Sequence, residues 1–212
     1  MTSPQEQQTL TQELRQILAK AEANNTGTRA WRGFKLEQGR QLLELAARSP
    51  RMHVLDLSFD GDFNAVYTIR MPVPRWPVGE RLRIGSECVF HVRYEEHWRW
   101  EAPPGWGPVG IVAPEDVFAP NLAPALRGAI CLGRLPPGIT VKDCTLLSYY
   151  VISMQQYSID ENDPLGVLNP IACEFFRRHP EYLPLTHAGL FEPWEPEDTP
   201  EQNPGDCDGR NE

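Results

Sequence analysis

Between residues 53 and 113 the chain alternates apolar and polar side chains in short runs, and this period of two constrains its fold most. Leu55, Leu57 and Phe59 alternate with Asp56, Ser58 and Asp60. Ala65, Tyr67, Ile69 and Met71 repeat the pattern, as do Cys88, Phe90, Val92 and Tyr94, and a short run at 109–113 follows. Successive side chains of an extended strand point to opposite faces, so each run offers one apolar face. Asp60-Gly61-Asp62 reads as a hairpin turn, and Pro72, Pro74 and Pro77 are expected to end the second strand. Strands joined by short links favour a four-stranded antiparallel meander.

Helical periodicity flanks the strands. Leu10, Leu14, Ile17, Leu18 and Ala21 form one stripe, ended by Asn24-Asn25-Thr26-Gly27. A second helix is expected over about 35–48, stopped by Ser49-Pro50. Thr140-x-x-Asp143 resembles a capping box ahead of the stripe Cys144, Leu147, Val151, Met154. Asn169-Pro170 gives an N-cap followed by proline at the first helical position, before Ile171, Phe175 and Phe176. The expected fold class is α+β, with the helices on one side of the sheet and an extra helix at the N-terminus.

The charge is uneven. Residues 192–212 hold eight acidic residues against Arg210, which leaves −2 of the net −9 to the rest of the chain. The expected organisation is an N-terminal helical extension (1–28), one α+β domain (29–191) and a disordered acidic tail (192–212). No basic stripe points to nucleic acid. No run approaches the roughly 20 apolar residues of a membrane span, and the first residues lack a secretory signal, so the expected compartment is the cytoplasm. Five cysteines without C-x-x-C spacing argue for reduced thiols and imply no metal or organic cofactor. Cys88, Cys144 and Cys173 fall on apolar faces as small buried hydrophobes, and Cys207 lies in the tail.

Cys131 stands apart. Ala119-Pro120-Asn121 precedes it by a short insert, and Gly128-Ala129-Ile130-Cys131-Leu132 contains it. A helix and an acidic loop follow, the loop running Asp160-Glu161-Asn162-Asp163-Pro164-Leu165. An amide, a thiol and a carboxylate in this order suit acyl transfer through a thioester. The thiol carries the acyl group, the amide binds its oxyanion, and the carboxylate prepares an incoming amine. The other readings are a core thiol at Cys131, a turn residue at Asn121 and a loop-ending carboxylate at Asp163. His91 alternates with Phe90 and Val92 and so faces away from them, and neither it nor His97 is spaced as a protease-like partner of Cys131.

These motifs, over about 36–183, resemble the catalytic domain of ubiquitin-conjugating enzymes, in divergent bacterial-type form. The resemblance implies that fold, with Cys131 as thioester nucleophile, Asn121 as oxyanion or loop-ordering residue, and Asp163 as the group that orients and helps deprotonate the attacking lysine. It implies as partners a ubiquitin-like protein, an activating enzyme and a protein substrate, and a place among bacterial conjugation systems, some linked to phage defence. The sequence departs from the family in Ala119, which replaces a histidine, in a longer insert before Cys131, and in a Trp- and Pro-rich stretch in place of Tyr-Pro-x-x-Pro-Pro. Family variants that lack the cysteine bind ubiquitin or act as scaffolds, so a non-catalytic binding module is the alternative. A cysteine hydrolase is a third reading.

Overall fold

The structure is a computed structural model. It describes residues 4–104, 107–123, 126, 128–160, 162–163 and 166–195, with side chains in the first helix from Gln12 onward. The fold is α+β. The strands are β1 (Met52–Ser58), β2 (Phe63–Val78), β3 (Arg81–Tyr94), β4 (Val109–Ala113), β5 (Leu122–Ala123) and β6 (Ala129–Ile130). They form one antiparallel sheet in the order β1-β2-β3-β4-β6-β5. The first four make the expected meander. The sheet has six strands, not four, because the cysteine segment adds β5 and β6.

The second strand also differs from expectation. It runs through Pro72, Pro74 and Pro77 to Val78. Its pairing with β3 shifts register between Arg70 and Val73 and again between Arg75 and Val78, so bulges absorb Pro72 and Pro77. This end of β2 gains bonds on its other side, where Phe118 N–H donates to Pro74 O (2.8 Å) and Trp76 N–H to Asp116 O (3.0 Å).

One sheet face makes the core. Val54, Ala65, Tyr67, Ile69, Cys88, Phe90 and Val92 are buried, whereas Leu55 and Val112 on the other face are about half exposed. The helices α1 (Pro4–Ala23), α2 (Arg29–Arg48), α3 (Val141–Ile152) and α4 (Pro170–Arg178) supply the rest. Leu14 and Ala21 of α1 are buried, and a Cβ at Gly39 of α2 would lie 3.3 Å from Leu18 Cδ1. Thus α1 packs on the domain rather than extending from it. No described helix is long and apolar enough to cross a membrane.

Helix α2 begins before residue 35, capped by Thr28, whose Oγ1 accepts from Trp31 N–H (3.1 Å). A lysine at a core position hides this first turn in the sequence. Lys35 is fully buried, and its Nζ donates to the carbonyls of Thr26 (2.9 Å), Phe59 and Gly61 (2.8 Å). Burial pulls its pKa below the usual lysine value against the opposing pull of Asp60, Asp62 and Glu96. Thr140 and Asn169 cap α3 and α4 as expected, accepting from Asp143 N–H (3.0 Å) and Ala172 N–H (3.2 Å). In the Trp-rich stretch a 3-10 turn, Glu96–Arg99, buries Trp98 edge-on against Tyr94. Trp106 lies outside the described residues.

The acidic tail begins later than the sequence suggests. Arg51 is buried and donates to Glu192 O (2.5 Å), Pro193 O (3.2 Å) and Tyr149 Oη (2.8 Å). Its guanidinium lies 5.9 Å from the ring centre of buried Trp194, and Arg70 pairs with Glu195 at 3.0 Å. Residues 192–195 are therefore part of the packed domain, held by an arginine that replaces water for two carbonyls. The remainder of the tail, 196–212, lies outside the described residues.

Candidate functional site

The cysteine segment is a small hairpin laid along β4. Gly110 of β4 is registered with Ala129 of β6, and Ile111 N–H donates to Gly128 O (2.9 Å). Gly128 has φ +77°, and a Cβ there would lie 2.6 Å from Ile111 O, so only glycine lets the hairpin approach this closely. Within the hairpin, Leu122 pairs with Ile130 and Ala123 with Ala129. Cys131 N–H donates to Asn121 O (2.7 Å), so the thiol-bearing residue and Asn121 are neighbours across the two chains of the hairpin. Of the insert between them, Pro124, Ala125 and Arg127 lie outside the described residues.

The acidic loop returns to the same place. Pro120 O accepts from both Leu168 N–H (2.8 Å) and Asn169 N–H (2.9 Å). Asn121 is buried, and its Nδ2 donates to Gly166 O (2.5 Å), 45 residues away in sequence. Asp160 starts the loop with an Asx turn, accepting from Asn162 N–H (3.0 Å). Asp163 closes it: its N–H donates to Asp160 O (2.9 Å), and its carbonyl accepts from Gly166 N–H (3.3 Å) and Val167 N–H (3.2 Å). Glu161, Pro164 and Leu165 lie outside the described residues. The fold thus brings the Asn121 and Cys131 backbones into contact and links the Asn121 side chain to the loop that carries Asp163.

Two features qualify the chemistry. Cys131 is buried, only 3% exposed. Asn121 already spends one amide N–H on Gly166 O, which fits the loop-ordering role better than an oxyanion donor. Its Oδ1 is buried without a hydrogen-bond partner among the described residues.

Cys88, Cys144 and Cys173 are buried, and Cys207 lies outside the described residues. Burial pushes Cys144 up to about 12, with the Asp143 carboxylate adding to it, and raises Cys88 further. His91 sits half-buried on the open sheet face opposite Val66 and Gly110. His97 lies 3.5 Å from Glu95 in the Trp-rich stretch. Among the described residues, no group of three or more His, Cys, Asp or Glu side chains is gathered as a metal site.

A cleft of about 370 Å³ opens beside the hairpin, lined by Trp76, Ile111, Val112, Pro114, Val117 and Leu122. Sequence reasoning missed this cleft, Gly166 and the Pro120 carbonyl. The prolines of β2 were the available signal for the cleft, since Trp76 lies between two of them; the other two act through backbone atoms and leave no local mark. Comparison with known protein families, with curated proteins and with solved structures finds no match.

Proposed function

We propose that this chain is a ubiquitin-conjugating-type acyl carrier, which accepts a ubiquitin-like protein on Cys131 from an activating enzyme and passes it to a lysine of a protein target in the cytoplasm. The observation that carries the reading is the 2.5 Å bond from Asn121 Nδ2 to Gly166 O, which couples the cysteine hairpin to the Asp163 loop. The order of helix, four-strand meander, cysteine segment, helix, acidic loop and helix supports a ubiquitin-conjugating-like fold.

Two transfers follow. In charging, the Cys131 sulfur bonds to the carbonyl carbon of the donor thioester, the donor C–S bond breaks, and the proton lost from Cys131 ends on the departing thiol. In discharge, a neutral amine nitrogen bonds to that carbon, the Cys131 C–S bond breaks, and the proton that nitrogen sheds ends on the departing thiolate. A lysine of pKa about 10.4 is less than about one part in a thousand neutral at pH 7, so its ammonium must lose a proton before attack. Asp163 orients the ammonium and accepts that first proton, which passes on to water. Asn121 holds the two loops in register.

Single-turnover kinetics test this division of labour. Asp163→Ala should charge at the wild-type rate and discharge to lysine about 10²-fold more slowly, the usual scale for loss of a general base. An Asp163→Ala protein that discharges normally would remove Asp163 from the mechanism. The burial of Cys131 favours a second reading, a non-catalytic module that binds a ubiquitin-like protein without accepting it. On that reading Cys131→Ser retains binding and full cellular activity.

A further inference from the structure

Gly166 meets the proposed machinery on two sides. Its carbonyl accepts the Asn121 side-chain amide at 2.5 Å. A Cβ on its Cα would lie 2.6 Å from Asp163 Oδ2 and 2.9 Å from Ser158 Cβ. Contacts that short do not persist, so a methyl group at 166 must displace the carboxylate, the loop or both. The Asp163 backbone is meanwhile pinned by its bonds to Asp160, Gly166 and Val167, and the loop's far end by the two N–H groups on Pro120 O.

From this geometry we infer that Gly166 is a positioning residue for amine attack: its bare Cα leaves the space that the Asp163 carboxylate occupies, and its carbonyl anchors Asn121 in the same register. This inference rests on the thioester-carrier reading. It assigns the two contacts to discharge and not to charging, because the thiol needs no proton acceptor on the acidic loop to exchange one thioester for another. Among the described residues, Gly166 meets both groups: its carbonyl holds Asn121 and its Cα faces the Asp163 carboxylate.

The test compares four full-length proteins, wild type, Gly166→Ala, Asp163→Ala and the Asp163→Ala/Gly166→Ala pair, each charged and then chased with free lysine. Gly166→Ala should charge within about twofold of wild type and discharge about 10²-fold more slowly, the cost of a misplacement near 1 Å. Added to Asp163→Ala, it should slow discharge less than about twofold further, because the carboxylate it displaces is already gone. A merely structural glycine would give independent, additive losses in charging and discharge. If Gly166→Ala folds poorly, Ser158→Gly/Gly166→Ala relieves the second contact and should still show the discharge defect. Wild-type discharge by Gly166→Ala, or full additivity with Asp163→Ala, overturns the inference while leaving the carrier reading intact. A wild type that charges with no active partner set overturns the carrier reading, and this inference with it.

Discussion

Lys35 shows how much a single side chain decides here. Three carbonyls, from Thr26, Phe59 and Gly61, converge on its buried ammonium, which has three N–H donors to give. It joins the α1–α2 turn to the β1–β2 hairpin, with the Trp31 ring centre 5.3 Å away. Lys35→Met keeps much of the volume but takes the donor from Thr26 O and thins the bonding of the other two carbonyls, since Gly61 O keeps Trp31 Nε1 (2.9 Å) and Phe59 O keeps Thr26 N–H (3.4 Å). The expected loss is about 1–3 kcal/mol, or a melting temperature lower by about 2–12 °C. A drop below about 2 °C would mean that water replaces the ammonium at little cost. The sequence conceals this residue because a charged side chain breaks the apolar stripe that would have marked the start of α2. Gly166 is hidden for a different reason: nothing in the string links it to Asn121, and the contact exists only once two loops meet. Cys131, Asn121 and Asp163, in contrast, stand out as candidates from residue type and order alone.

At the scale of elements, strands were readable wherever alternation ran for four residues or more. The runs Ala65–Met71 and Cys88–Tyr94 hold in the structure, whereas a bulge between Val54 and Asp56 turns Leu55 to the open face and leaves Leu57 and Phe59 buried; the polar caps Thr140 and Asn169 start α3 and α4 where they should. Two-residue strands have no period to detect, so β5 and β6 escaped. The prolines of β2 misled for a physical reason: a bulge accommodates a missing N–H, and the strand resumes beyond it. The β5–β6 hairpin depends on Gly128. Gly128→Ala meets both a left-handed backbone (φ +77°) and the Ile111 carbonyl, and should cost about 1–3 kcal/mol. Hydrogen exchange localises the effect: Ile111 N–H should lose protection while Val92 in β3 keeps it. Unchanged protection at Ile111 would mean that the hairpin holds without this contact.

At the scale of the whole molecule, composition gave the class and misjudged one boundary. Acidic residues and prolines after 191 read as tail, yet Trp194 is buried and Arg51 binds the carbonyls of Glu192 and Pro193. The acidic bias diluted one tryptophan, and its partner Arg51 lies at the start of β1, far off in sequence. Truncation after Glu195 should leave the melting temperature within about 1–2 °C of the full chain, whereas truncation after Phe191 removes a buried indole and should cost about 3 kcal/mol or more. Equal stability of the two truncations would contradict the packing described for 192–195.

The central claim is that Cys131 carries an acyl group, and charging tests it most directly. The full chain is incubated with ATP, an activating enzyme and its ubiquitin-like protein, then run on a non-reducing gel. The expected result is a mass-shifted band that a thiol reductant removes and Cys131→Ala abolishes. Absence of that band, with partners that charge another conjugating enzyme in parallel, would contradict the carrier and favour a binding module whose buried thiol only packs.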